Sequence, residues 1–543
     1  MVNEVSPAAK ITKENATEES IIKELEKRKS HELIIGLCGA IGAGTKELGS
    51  NLKTSLENHG YNVEFIKITS IIYQLKNDLS LSGLTGYEKY YQYQIAGNEI
   101  RKAMGTIKLA AEAIAEIVDK REKYIQTPPA EKNGKKTDEY KTTEKVAYII
   151  DQLKHPDEVT LLKTVYKQNF YLLGLITTDK ERKNYLEQQS IKADKIDDLI
   201  HRDRKDTYSF GQQVEKTFHL ADYFIRNRHS HAAHLNTAIE RFIKLVHGYN
   251  GITPTHDEIG MYEAFSASLR SACLSRQVGA SIMNENGDIL ATGCNDVPAY
   301  GGGLYSSEDG NNDFRCVHKG GKCFNDHHKK LLQEEFKKIL NEEFEEILSK
   351  ELKEKTNDAE KDSVKKLTAN LIKNIEKISS KLLKNTKAKD LIEYSRAVHA
   401  EMDALVQLAR TEGQTTLNAK LYCTTYPCHS CARHIVAAGI SKVIYIEPYE
   451  KSLALQLHDD SITDIGQVEK VMFEPFEGVS PRRYSKFFLA FNRKDKDGKA
   501  IFEQPRNSDH IDPQFLDSYH EYEQKVVQRS DKQVNPFMAA NTQ

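Results

Sequence analysis

The tightest constraint on this 543-residue chain is a set of side chains in two short clusters. His399 and Glu401 stand in His399-Ala400-Glu401, and Cys428 and Cys431 in Pro427-Cys428-His429-Ser430-Cys431. Each cluster precedes an apolar helical pattern, through Leu405, Leu408 and Ala409 in the first case and through Ile435 and Ala438 in the second. The i, i+3 spacing of the cysteines puts both thiols on one face of a helix start, where the positive helix end favours thiolate. A fold that uses this pattern must bring two helix N-termini together across an intervening strand.

One imidazole and two thiolates make a zinc ligand set that leaves a fourth position for water, which distinguishes a catalytic site from a closed structural one. Bound Zn2+ lowers the pKa of that water to about 7. Glu401 is not needed as a ligand and is placed to carry protons as general acid and base. The order His-x-Glu, then Pro-Cys-x-x-Cys, resembles the signature of zinc-dependent nucleobase and nucleotide deaminases. A helix cap and two buried thiols would account for each cluster alone, but not for their joint spacing.

The N-terminal half carries a different signal. The apolar run Leu33-Ile34-Ile35-Gly36-Leu37-Cys38 leads into Gly39-Ala40-Ile41-Gly42-Ala43-Gly44-Thr45-Lys46 and then a helical pattern. Strand, glycine loop and helix in that order are the context of a P-loop, whose backbone N–H groups converge on phosphate. Gly39, Gly42, Gly44, Thr45 and Lys46 are the candidate nucleotide-binding residues, with Mg2+ as companion. Thr45-Lys46 stands where Lys followed by Ser or Thr is expected, so phosphate binding without phosphotransfer is the reading. Strand-like segments follow at Val63–Ile68, Lys145–Asp151, Phe170–Ile176 and Ala221–Asn227, and a long helical stretch at 98–124. Asp151 is a candidate magnesium-side carboxylate or a helix cap. The charge run His201-Arg202-Asp203-Arg204-Lys205-Asp206 lies where nucleotide kinases carry a lid, and charge runs favour a solvated surface. The histidines at 229, 231 and 234 read as surface residues. The best linker is His247-Gly248-Tyr249-Asn250-Gly251-Ile252-Thr253-Pro254.

The second module opens with a helix through Met261, Phe265 and Leu269, then two strands joined by the hairpin turn Asn284-Glu285-Asn286-Gly287. Arg276-Gln277-Val278-Gly279-Ala280, Gly293-Cys294-Asn295, His399-Ala400-Glu401 and Cys423 to Ala432 together resemble the deoxycytidylate deaminase family. With the P-loop module in front, the chain resembles the two-domain bacterial anti-phage dCTP deaminases. That resemblance implies hydrolytic deamination of free deoxycytidine nucleotides, dCTP or dCMP, to deoxyuridine nucleotides, which depletes the dCTP pool in antiviral defence. It further implies an allosteric nucleotide, an inhibitory RNA and a homo-oligomer as partners. Asn295, Arg276, Tyr426 and Lys451 are the candidate substrate contacts.

Between hairpin and His399 lies an insertion. Its first part contains Cys316, His318, Cys323 and His327, candidates for a second, structural metal. Its second part repeats apolar residues at helical spacing, Leu332 to Leu348 and Val364 to Leu382, and reads as a solvated helical hairpin with one buried stripe. Cys38, Cys273, Cys294 and Cys423 read as small core residues.

The fold expected is therefore α/β throughout. The division is a polar lead-in over residues 1–30, a P-loop NTPase-like (nucleotide-kinase-like) domain over 31–247 and a linker over 248–257. A cytidine deaminase-like α/β/α domain over 258–490 follows, with an insertion at 300–395 and a C-terminal tail over 491–543. No stretch reaches the roughly 18 to 20 apolar residues that span a bilayer, and the polar N-terminus has no signal-peptide core, so a cytoplasmic protein is expected. A formal net charge of -2 argues against the alternative of a single-stranded nucleic-acid deaminase, which needs basic surface. A P-loop regulatory protein gated by RNA or nucleotide is the other alternative.

Overall fold

The computed structural model describes residues 25–126, 142–204, 206, 208–227, 232–449, 452–466, 469–489, 493–502 and 504–539. The chain divides into two compact units, Met1–Glu258 with Pro475–Gln543, and Ile259–Glu474.

The first unit is built on β1 (Glu32–Gly39), β2 (Asn62–Lys67), β3 (Val146–Asp151), β4 (Phe170–Ile176) and β5 (Tyr223–Arg226). They run parallel in the order β5-β4-β1-β3-β2, with Gly478–Val479 antiparallel beside β5. Strands β1 and β4 are buried along their whole length and β3 up to Asp151. This is why they read as continuous apolar runs: a parallel sheet is covered on both faces. Successive strands leave β1 in opposite directions, so the loop after β1 lies at the switch point where open α/β sheets place ligand sites. Helix α1 (Thr45–Asn58) follows it and buries Leu48, Leu52 and Leu56 in the core beneath.

Three expectations change in this unit. The single helical stretch over 98–124 is two helices, Gly86–Met104 and Lys108–Arg121, broken at Gly105, whose φ of 96° is open to glycine. Asp151 caps no helix, because His155 caps Pro156–Tyr166 by accepting the Asp157 N–H. The stretch expected as a C-terminal tail belongs to the first unit. Its helix Leu516–Asp531 buries Tyr519 and Glu523, and residues 475–490, expected in the deaminase-like domain, join the first unit as well, with Val479 and Phe487 entering the sheet's core. Its polar sequence hid this because much of what it buries is polar and paired. Most of the polar segment over 126–136, which reads in the sequence as a flexible loop, and the histidines at 229 and 231, lie outside the described residues; His234 pairs with Glu477 at 2.9 Å.

The second unit has a mixed sheet. Strands β6 (Gly279–Met283) and β7 (Ile289–Cys294) form the expected antiparallel hairpin. Then β8 (Lys420–Thr425) runs antiparallel to β6 and parallel to β9 (Lys442–Glu447). Val471–Pro475 and Ile462–Thr463 complete the order on the β9 side. Helices α2 (Ala400–Ala409) and α3 (His429–Ala437) share a core with this sheet through Ala400, Ala404, Leu408, Ala432 and Ile435.

The insertion departs from a simple hairpin. Its first helix is Phe324–Glu354, and the second arm breaks at Asn374 into Asp358–Lys373 and Ile375–Asn385. No residue of Phe324–Glu354 is fully buried, and Ile339, Ile347 and Leu367 are exposed. The expected stripe is thus present in sequence but mostly uncovered within this chain. No helix among the described residues is long and apolar enough to cross a membrane.

Candidate metal centre and the glycine loop

The two clusters that opened the sequence meet at the N-termini of α2 and α3. His399 is the residue before α2, and Cys428 the residue before α3. His399 Nδ1 lies 3.4 Å from Cys428 Sγ and 3.3 Å from Cys431 Sγ. The Cys431 N–H points at Cys428 Sγ at 3.4 Å. All three candidate ligand atoms lie within 4.8 Å of one another. Zinc bonds of about 2.3 Å to sulfur and 2.0–2.1 Å to nitrogen in a tetrahedron imply N···S edges of about 3.6 Å, so the donor set fits Zn2+ in both chemistry and size.

The backbone around the cluster explains how it is held. Asp296 receives the Val398 N–H at 2.9 Å, which pins the residue before His399 to the strand-end loop after β7. Asp403 accepts the Cys294 N–H at 3.0 Å one helical turn on. A Cβ at Gly293 would stand 2.3 Å from Ala400 O and 2.4 Å from Ala404 N, so α2 can lie this close to β7 only over glycine. On the other side, Ser452 donates to Pro427 O at 2.8 Å, fixing the turn into Cys428.

Electrostatics follow from burial and proximity. Glu401 is 4% exposed, and burial raises its carboxyl above the ordinary carboxylate range, with His399 pulling the other way. His399 is raised, first by its hydrogen bond with Cys428. Cys428 is driven down, chiefly by its neighbour Cys431, and Cys431 is driven up by Cys428 and by burial.

A cleft of about 330 Å³ opens over the cluster and is lined by His399, Glu401, Cys428, Arg276, Asn295 and Tyr426 among others. That volume lies within the usual range for a small-molecule site. Arg276 reaches Glu447 at 3.6 Å and stacks its guanidinium over Tyr449 at 5.4 Å. Tyr426 stands edge-on to Tyr445, with ring centroids 4.8 Å apart. Asn295 is tied into the protein: its Oδ1 accepts the Val278 N–H at 2.7 Å, and its Nδ2 donates to Arg276 O at 2.8 Å. It therefore shapes the segment that carries Arg276 as well as lining the cleft. Lys451 lies outside the described residues.

The candidates for a second metal do not assemble. Among the described residues, His399, Cys428 and Cys431 form the one group with three ligand atoms in reach of an ion. His318 instead pairs with Asp313 at 3.3 Å, and the ring of His327 packs against that of His328. Cys316 takes a contact from Arg396 at 3.8 Å, and Cys323 precedes the helix Phe324–Glu354. Both cysteines line the cleft, and so does Cys273, which is half-buried there rather than in the core. Tyr449 and Arg396 also line it and escaped sequence reading, since an isolated Tyr or Arg after a strand or loop carries no spacing signal.

In the first unit the glycine loop after β1 adopts positive φ at Gly42 (79°) and Gly44 (90°), and no side chain caps α1. Lys46 is exposed. The ammonium at the loop belongs to Lys154, whose Nζ lies 3.1 Å from Gly39 O and 2.7 Å from Asp203 Oδ1. Thr45 Oγ1 receives a bond from Gln152 at 2.9 Å. Asp203, expected within a solvated charge run, is 1% exposed.

Comparison with known proteins shows what part of the second unit is similar to. Residues 342–447 match the cytidine and deoxycytidylate deaminase zinc-binding region, so this part of the chain is a deaminase-like domain. ComE operon protein 2 of Bacillus subtilis (strain 168) is 38% identical over 76 residues, 14% of this chain and 40% of that protein. Deoxycytidylate deaminase of Enterobacteria phage T2 is 40% identical over 55 residues, 10% of this chain and 29% of that enzyme. The Saccharomyces cerevisiae deoxycytidylate deaminase is 47% identical over 53 residues, 10% of this chain and 16% of that one. The similarity thus spans well under half the length of these relatives. A solved structure of dCMP deaminase from the cyanophage S-TIM5 aligns over 41% of this chain and 100% of its own, at 19% identity and a TM-score of 0.21.

Proposed function

We propose that this protein is a hydrolase that deaminates free deoxycytidine nucleotides, dCTP or dCMP, to the deoxyuridine nucleotides, with release of ammonia. The observation that carries the reading is the buried Glu401 carboxyl on the first turn of α2, in the same cleft as His399 and Cys428, whose ligand atoms lie within 4.8 Å of one another and of Cys431. The family match over residues 342–447, which include the cluster, and the similarity to deoxycytidylate deaminases support the base and sugar.

His399, Cys428 and Cys431 would hold Zn2+, which when bound supplies water activated for attack near neutral pH. Glu401 takes one proton from the attacking water and delivers it to N3 of the cytosine as C4 is attacked, then takes the remaining proton from the hydroxyl now on C4 and delivers it to the departing ammonia as the C4 carbonyl forms. Its burial suits this work, because a carboxyl raised toward neutrality holds a proton more readily in the middle of the cycle. Tyr426 offers a ring face or edge to the base. Arg276, partly exposed at the rim, is the cation placed for a phosphate. Lys451, next to the Pro427-fixing Ser452 in sequence, is a second candidate for that role.

The glycine loop, its switch-point position and the uncapped α1 support a nucleotide, with Mg2+, bound in the first unit as a regulator. Together with the resemblance to two-domain bacterial anti-phage enzymes, this supports a cytoplasmic, homo-oligomeric enzyme. It depletes dCTP in antiviral defence and is subject to an inhibitory RNA.

The test is direct. Purified protein is incubated separately with dCTP, dCMP and single-stranded DNA, beside Glu401→Ala. Ammonia and deoxyuridine nucleotide from a free nucleotide, absent in the variant, are expected. Product from DNA alone would reverse the substrate class.

A further inference from the structure

The glycine loop already holds an anion, and it is one of the protein's own. Asp203 Oδ2 accepts the Ile41 N–H at 2.7 Å, and its Oδ1 takes Lys154 Nζ at 2.7 Å. A loop amide and a lysine ammonium converging on two oxygens of one anionic group is the donor pattern of a phosphate cradle. Asp203 lies on the helix Ala193–Arg204, 162 positions from Ile41 in sequence. We propose that Asp203 is an intramolecular latch in this site, and that a polyphosphate enters by displacing its carboxylate from Ile41 and Lys154. The inference rests on the glycine-loop reading above and names how that site is regulated.

Two independent features point to an external ligand in addition. Arg182 is 7% exposed; it donates Nε to Ile41 O at 2.9 Å and Nη1 to Asp179, while Nη2 has no partner. An unpaired guanidinium N–H buried against the loop is costly where nothing answers it, and an incoming phosphate oxygen would answer it. Next, the uncapped N-terminus of the 14-residue α1 leaves its first amides without a side-chain acceptor.

The latch is also mechanically separable from the core. Ile41 packs with Leu186, Ile191, Ile196 and Leu199 in a small cluster of its own, apart from the core under the sheet. The helix bearing Asp203 can therefore shift without opening the main core, as low-stability segments at ligand sites do. While Asp203 is in place the competent fraction is small, and the apparent affinity for polyphosphate is reduced by that fraction.

The experiment uses full-length protein and inorganic tripolyphosphate with Mg2+. Isothermal titration compares wild type with Asp203→Asn, which keeps the side-chain volume and removes the charge. The variant is expected to bind roughly ten- to hundredfold more tightly, the span of one or two charged hydrogen bonds removed from competition. Because the substitution unpairs Lys154 and can weaken folding, wild type is also followed by amide hydrogen exchange. Tripolyphosphate should speed exchange across Ala193–Arg204 as the latch leaves. Binding with equal affinity in both proteins, and with that helix equally or better protected, overturns the latch and leaves the glycine loop as a binding site. No binding by either protein removes the glycine-loop reading itself, and the latch with it.

Discussion

Arg121 grips Glu523 through two parallel bonds, Nη1 to Oε2 at 2.6 Å and Nη2 to Oε1 at 2.7 Å, with neither side chain reaching solvent beyond 2%. Nε of the same guanidinium reaches Glu32 Oε1 at 2.7 Å, and Tyr519 OH donates to the other Glu32 oxygen at 2.5 Å. The first strand and the C-terminal helix are thereby joined through one cation. Burial alone would raise the Glu523 carboxyl, but His520, 3.7 Å away, and the Arg121 guanidinium outweigh it and hold it low. Glu523→Ala leaves a buried guanidinium short of charge, and is expected to cost about 3–5 kcal/mol in unfolding free energy. A urea midpoint unchanged from wild type would remove the C-terminal helix from the folded unit.

Acid should weaken the first unit well above the carboxylate range. Burial, reinforced by Lys145, holds His247 down to about 3, and burial with Lys486 holds His510 down to about 4, from an ordinary 6.5. Both rings stay neutral when folded, whereas the unfolded chain takes up protons below about 6.5. Their contribution is complete above that pH and drains away as pH falls toward the folded values. The slope approaches about 1.4 kcal/mol per pH unit for each ring. Urea midpoints at pH 7, 6 and 5 check this, and His510→Leu should flatten the dependence.

Replacing Glu401 by Gln should separate metal binding from turnover. Zinc content by plasma emission is expected to match wild type, while kcat for deoxycytidine nucleotide falls at least about a hundredfold. Loss of zinc in this variant would make Glu401 a ligand and overturn its role as proton carrier. Cys431→Ala is the contrasting case and should lose the metal.

Gly293→Ala tests the close packing behind the metal centre. Its Cβ would collide with backbone atoms of α2 at 2.3 and 2.4 Å, so the helix that follows His399 must move. A stability loss of about 1–3 kcal/mol is expected for such overpacking, together with weaker zinc retention against a chelator. Unchanged zinc affinity would show that the ligands tolerate a shift of α2.

Much of the site is legible in the sequence, because its signals are short-range. The interval between Cys428 and Cys431 is a property of one helical turn, and the period-free apolar runs of β1, β3 and β4 are properties of strands covered on both faces. The same reasoning failed where a local pattern has two outcomes. Cys316, His318, Cys323 and His327 have plausible ligand identities, yet His318 goes to Asp313 and Cys316 to Arg396. Lys46 sits in the motif, but the loop's ammonium comes from Lys154.

By itself, the sequence determined His399, Cys428 and Cys431 as the candidate ligand set, Glu401 as the candidate proton carrier, and a strand, glycine loop and helix at the start of an α/β unit. Only the tertiary structure decided that Asp203 closes that loop, that the segment after Pro475 completes the first unit, and that Asp296 and Gly293 set the approach to His399. The reason is the physics of burying charge and backbone. A charged or polar residue goes inside only where a partner meets it, and the partners here stand tens to hundreds of positions away. No local periodicity records them; the fold alone brings them within hydrogen-bonding distance.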